Sequence, residues 1–155
     1  MKDWYPSFFV YNKYSLGDTM NKAKQRQITL QEMRRIFYPN MLNRVDWMGY
    51  LITEDNKPSY HHIVKREELA EANQPIDATV DNGAYLGKRS HEILHQIELI
   101  DHDLFLCWND LFLMINRMRR YPIDDVWDMV FHLQDLTIER IMEYNSSKKL
   151  IKSAN

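Results

Sequence analysis

The stretch "DNGAYLGKRSHEILHQIELI", residues 81–100, decides how the rest of the chain is read. Its first half sets an aromatic and an aliphatic side chain between Gly83 and Gly87, which predicts a short strand over "NGAYLG". Its second half places Ile93, Leu94, Ile97 and Ile100 at helical spacing, which predicts a helix from Lys88 to Asp101. His91 and His95 lie four apart on that helix and therefore share a face. Upstream, "YHHIV", residues 60–64, is aromatic and β-branched and predicts another strand, carrying His61 and His62. Four of the six histidines thus fall in one strand–strand–helix unit.

Further out the pattern is mostly helical. "TLQEMRRIFYPNMLNRV" predicts a helix with Thr29 as N-cap and Glu32 completing a capping box, ended or kinked at Pro39. "WMGYLI", 47–52, reads as a strand, and "EDNKPS", 54–59, as a turn. Residues 65–81 form a long polar loop with one helical turn in "REELAEA". Residues 102–120 are apolar over most of a helix surface, with Leu104, Phe105, Trp108, Leu111, Phe112, Ile115 and Met118 in step, which predicts deep burial. Pro122 opens a last helix, with Asp124 and Asp125 near its positive end. Its stripe, Ile123, Val126, Val130, Leu133, Thr137 and Ile141, is read as packing on the previous helix. The tail "NSSKKLIKSAN" is expected to fray.

The chain has 155 residues, 45% of them hydrophobic and 27% charged, with four glycines and five prolines. This fits one ordered, helix-rich domain. The expected class is α+β, mainly helical. A net charge of −2 excludes a global basic field, so any nucleic-acid face has to be local. Cys107 is the single cysteine and is read as a small core residue. No signal-peptide pattern opens the chain, and its apolar runs are too broken to span a bilayer, which predicts a cytoplasmic protein and no membrane.

Two chemistries suit the histidines. His91-Glu92-Ile93-Leu94-His95 spells H-E-x-x-H, in which two histidines face one zinc and the glutamate activates its water. A zinc protease also needs a third ligand further on. The glycine that would turn the chain is absent after Gly87, and Glu139 or Glu143 are only formal candidates.

The other reading takes the whole set together. "YHHIV", "DNGAYL" and "SHEILH", at these spacings, resemble the HNH endonuclease family, whose core is a ββα-metal hairpin. The resemblance is close from about Pro58 to Glu98, looser through "ELIDHDLFLCWNDLFLMINRM", and does not reach residues 1–45. It implies three parts within one domain: an N-terminal helical or irregular segment (1–45), the HNH core (46–101) and a helical extension (102–155). It further implies that His62 is the general base, that Asn82 pins the loop orienting it, and that His61, His91 and His95 hold one divalent ion. Three neutral imidazoles suit zinc, nickel or manganese better than magnesium, which prefers oxygen. The implied reaction is hydrolysis of DNA to 5′-phosphate and 3′-hydroxyl ends, in a protein of phage or mobile-element type.

The chain departs from the family twice. Ser59 stands where colicin-type relatives carry a carboxylate, and the 65–81 loop lacks their glycine pair. Lys65, Arg66, Lys88 and Arg89 flank the histidines and are candidate phosphate contacts. Lys13, Lys22, Lys24, Arg26, Arg34 and Arg35 are read as generic surface rather than a DNA arm, and His102 and His132 as structural. The competing reading is an HNH-fold protein that binds a partner without needing catalysis, such as an inhibitor of a host defence nuclease. The acidic last helix leaves room for that partner, or for a homodimer through the C-terminal helices.

Overall fold

The computed structural model describes residues 21–154, so the expectations for the first twenty residues, Lys13 among them, fall outside the described part. The architecture is α+β and mainly helical, with one two-stranded antiparallel sheet. The elements run α1 (Lys22–Phe37), β1 (Pro58–His62), α2 (Arg66–Glu71), a 3₁₀ turn (Val80–Asn82), β2 (Gly83–Gly87), α3 (Lys88–Ile100), α4 (His102–Met118) and α5 (Asp124–Ala154). A single buried cluster draws side chains from α1, both strands and α3 to α5, with Trp47, Phe37, Tyr85, Trp108 and Phe112 among its largest members. Among the described residues, no helix is long and apolar enough to cross a membrane.

α1 begins earlier than the capping box suggests. Asn21 is the N-cap and accepts from Lys24 N at 2.8 Å. Thr29 lies inside the helix, buried, and its hydroxyl donates to Ala78 O at 3.0 Å. A hydroxyl that looks like a local cap is spent on a tertiary bond. The helix stops at Phe37, because Tyr38 precedes a proline and leaves helical backbone at φ −132°.

"WMGYLI" is not a strand. Asp46 folds it into a tight turn, its Oδ1 accepting from Met48 N at 3.0 Å and Tyr50 N at 2.9 Å. Gly49 takes φ +91° there, a conformation costly for any side chain. Only single bridges remain, Val45 to Leu51 and Thr53 to Asn56. The other oxygen of Asp46 reaches across the fold. It accepts from Gly87 N at 2.7 Å and from Ser90 Oγ, at the junction of β2 and α3. Burial outweighs these donors and holds the Asp46 carboxyl above its ordinary range. Asn56 braces the same junction, donating to Leu51 O and accepting from Arg89 N, and its side chain occupies the space a Cβ on Gly87 would need.

α4 is buried on one side only. Leu104, Phe105, Trp108, Leu111, Phe112 and Ile115 enter the core. Leu106, Met114 and Cys107 stay exposed, so Cys107 is not the core residue the sequence suggested. Apolar spacing marks a helix but not how many of its sides find a neighbour, and α3 and α5 cover only part of this one. An apolar groove of about 590 Å³ is left between α4 and α5, lined by Cys107, Met114, Met129 and Leu133. α5 starts at Asp124 rather than Pro122, is pinned where Trp108 Nε1 donates to Thr137 Oγ1 (2.8 Å), and runs helical through Ala154, into the tail whose sequence predicts fraying.

Replacing Asp46 with Ala strands three backbone amides and a buried hydroxyl that now share its carboxylate. Each orphaned donor costs on the order of 1–3 kcal/mol. The expected loss in urea unfolding is at least about 3 kcal/mol, larger than for Asp124→Ala on the surface.

Candidate functional site

The ladder pairs His61 with Ala84 and His62 with Gly83, so neither imidazole faces a bulky cross-strand neighbour. Successive strand residues point to opposite faces. His61 goes inward against α4, where Phe105 and Phe112 meet its ring edge to face at 6.4 and 5.8 Å. Its Nε2 donates to Asn109 Oδ1 at 2.9 Å, a tautomer assigned from the acceptor, which leaves Nδ1 with a lone pair. His62 takes the other face beside Tyr60, ring centroids 4.8 Å apart. Its Nε2 donates to Ile76 O at 3.2 Å, again leaving Nδ1 free to accept a proton.

α3 supplies the other two. The His91 ring lies 5.5 Å from that of His61 and stacks on His95 at 4.7 Å, one helical turn on. His91 Nδ1 is bonded to Ser59 Oγ at 2.7 Å. His61, His62, His91 and His95 line one cavity of about 340 Å³, together with Lys65, Glu67, Glu98 and Phe105. Burial pushes His61 down to about 3, and His62 and His91 down to about 4, so all three imidazoles are neutral at pH 7.

Asn82 stands apart from the ring cluster and acts on backbone. It is fully buried, accepts from Val64 N at 2.8 Å and donates to Val64 O at 3.0 Å. That double bond clamps the chain just after the His61-His62 pair. The end of the 65–81 segment is tied down as well: Tyr60 Oη donates to Thr79 O (2.7 Å), Asn116 Nδ2 donates to Val80 O (2.6 Å), and Arg119 pairs with Asp81. The Ile76 carbonyl bonded to His62 lies three residues before the first of these ties.

The four flanking cations divide. Arg66 and Lys88 line a groove with His62 and His91. Lys65 is paired with Glu98, which also lies 3.7 Å from His95 Nδ1. Arg89 is exposed, lines neither cavity, and bonds Asn56 through its backbone amide. Glu92 is exposed and lines no cavity with the histidines. His102 and His132 are exposed on α4 and α5. Ser59, Glu98 and Asn109 touch the cluster; the sequence marks Ser59 only as a departure from the family pattern and gives the other two no role at the site. Ser59 and Asn109 become visible only once strand and helix are packed, whereas Glu98, one turn beyond His95, follows from helical spacing.

The donor set fits a transition metal. Neutral imidazoles are its usual ligands, and each is commonly steered by a hydrogen bond at the other ring nitrogen. Ser59 and Asn109 supply such bonds. No three His, Cys, Asp or Glu side chains among the described residues already stand in metal-holding geometry. No protein-family model, curated protein or solved structure matches the chain.

Two outcomes are expected. Asn109→Leu leaves the buried His61 N–H without its acceptor and lowers stability by about 1–3 kcal/mol, whereas Asn109→Asp keeps an acceptor and, by its charge, draws the titration of His61 upward in NMR. Stability also depends on pH with a definite sign. Unfolded imidazoles take up protons near pH 6.5, whereas the folded ones do so only near 3 to 4. The folded state therefore keeps its full stability above about pH 6.5 and loses it as pH falls toward 4. Urea midpoints between pH 8 and 4.5 check this, and in His62→Gln the acid slope is shallower by roughly one proton.

Proposed function

We propose that the protein is a metal-dependent endonuclease of the HNH type that hydrolyses DNA phosphodiester bonds, with β1, β2 and α3 as its ββα core. The observation that carries this reading is one cavity lined by four histidines from a strand and a helix, three of them held neutral. His61, His91 and His95 would hold one divalent ion, zinc, nickel, manganese or magnesium. When bound, the ion supplies positive charge at the phosphate and at the departing oxygen.

The chain's own groups do the rest. His62 Nδ1 accepts a proton from water as its oxygen attacks phosphorus, while Nε2 stays bonded to the Ile76 carbonyl. The bond to the 3′ oxygen breaks, and that oxygen takes up a proton from solvent, leaving 5′-phosphate and 3′-hydroxyl ends. Burial and then the charges of Arg66 and Arg26 depress His62. A phosphate beside it opposes both arginines and moves its affinity for a proton toward the working pH, where a general base is most effective. Asn82 holds the strand end that carries the base. Ser59, bonded to Nδ1 of His91, leaves that ring's Nε2 for the ion when the hydroxyl accepts.

A plasmid cleavage assay with manganese, magnesium, nickel and zinc in turn tests the reading. Wild type nicks or linearises DNA with at least one metal, and His62→Ala reduces the rate by at least about 100-fold, as for loss of a positioned base. Glu92→Gln stays within a few-fold of wild type, whereas a zinc protease would be inactivated by it. Zinc or nickel raises the melting temperature of wild type and not of His91→Ala, and EDTA reverses the rise. A folded protein that binds metal and cleaves nothing would sink the enzyme and favour a binding role, for which the apolar groove between α4 and α5 is the available surface.

A further inference from the structure

The histidine cavity has a second side. A groove of about 610 Å³ runs between α1 and the start of β1 and opens on His62 and His91. Its walls carry Arg26 from α1, Arg66 from α2 and Lys88 from α3, with Gln27 and Ser59 between them. No Asp or Glu lines it. A narrow cleft beside it adds Lys22 and one carboxylate, Asp77. The histidine cavity itself, which Arg66 also borders, contains Glu67 and Glu98, the latter paired with Lys65.

Arg26, Arg66 and Lys88 lie far apart in sequence and on different elements, so their convergence is a product of folding. None of the three forms an ion pair among the described residues. In a chain of net charge −2, three cations without an ion pair around one acid-free groove make a local anion field. Three cations from three different elements lining one groove suit a ligand that carries several phosphates. Contacts of this kind hold a backbone in register without reading its bases. α1 lies in the segment that the HNH resemblance leaves uncovered.

We propose that α1 forms one wall of the strand-binding groove, and that Arg26, with Arg66 and Lys88, holds the phosphodiester backbone of DNA beside His62. This rests on the nuclease reading for the chemistry at His62, but binding is measurable without turnover. The probe is a fluorescein-labelled 20-base-pair duplex of arbitrary sequence, titrated with the full chain in EDTA, by anisotropy, over a series of NaCl concentrations. Arg26→Gln weakens binding several-fold at low salt and makes the slope of log K against log salt shallower by about 0.9, one phosphate contact in B-form DNA. Arg35→Gln removes the same charge from an exposed position of the same helix and changes neither quantity.

Equal losses in the two variants, an Arg26→Gln that binds like wild type, or no binding by wild type would each overturn the proposal. Circular dichroism of each variant separates a lost contact from a lost fold. The two readings fail separately. Arg26-dependent binding without cleavage by any metal keeps the groove and sinks the nuclease. Cleavage and binding that ignore Arg26 keep the nuclease and sink the groove.

Discussion

The carboxylate of Asp46 is buried with four donors turned toward it, two from its own turn and two from the junction of β2 and α3. A charge in that position is costly unless its lone pairs are filled, so the two segments are held together or neither is stable. One of the donors, Ser90, is the residue before His91. The start of α3, and with it the placement of two histidines, is therefore fixed from a turn that contributes nothing to the cavity. Asn82 plays the matching part on the strand side, closing the chain after His62. A polar clamp at each end of the strand–strand–helix unit does what a longer sheet would otherwise do, since two short strands are marginal alone.

Much of this unit was legible in the sequence. The glycines at 83 and 87 bound β2, the period of Ile93, Leu94, Ile97 and Ile100 gives α3, and the step of four between His91 and His95 gives their shared face. The losses have a common cause. Thr29 reads as a cap because a hydroxyl before a helical pattern usually serves the nearest amides, yet its partner is 49 residues away. "WMGYLI" has strand composition, but one preceding aspartate can claim two amides of its own turn and defeat propensity. Cys107 sits in an apolar run, and no local pattern says which helix faces remain uncovered. Asn109 and Arg26 reach the histidines through packing of α4 and α1, which spacing along the chain does not encode.

The two sides of His62 differ in sign. Toward α3 the lining mixes imidazoles with Glu67 and Glu98 beside Arg66 and a lysine paired to Glu98, an environment whose carboxylates tolerate a cation. Toward α1 it carries arginines and a lysine without a carboxylate, an environment that draws an anion. One imidazole, neutral and with a free nitrogen, lies at the boundary. Placing the carboxylates on one side only lets neighbouring sites favour opposite ions, although Arg66 borders both.

α5 is 31 residues long, about 46 Å at helical rise. Its last buried position is Thr137, and from Met142 to Ser153 every side chain is exposed. Those final turns gain nothing from the core and keep their form through backbone bonding, helical propensity and local contacts such as Lys148 over the Tyr144 ring, which is marginal for a segment of that length in water. A segment held in this way is expected to open independently of the turns near Trp108, on the sub-microsecond scale of the helix–coil transition. Changes there leave the cooperative unfolding of the domain almost untouched, so that end of the molecule is free to vary in sequence and length in a way that the stretch around Asp46 is not.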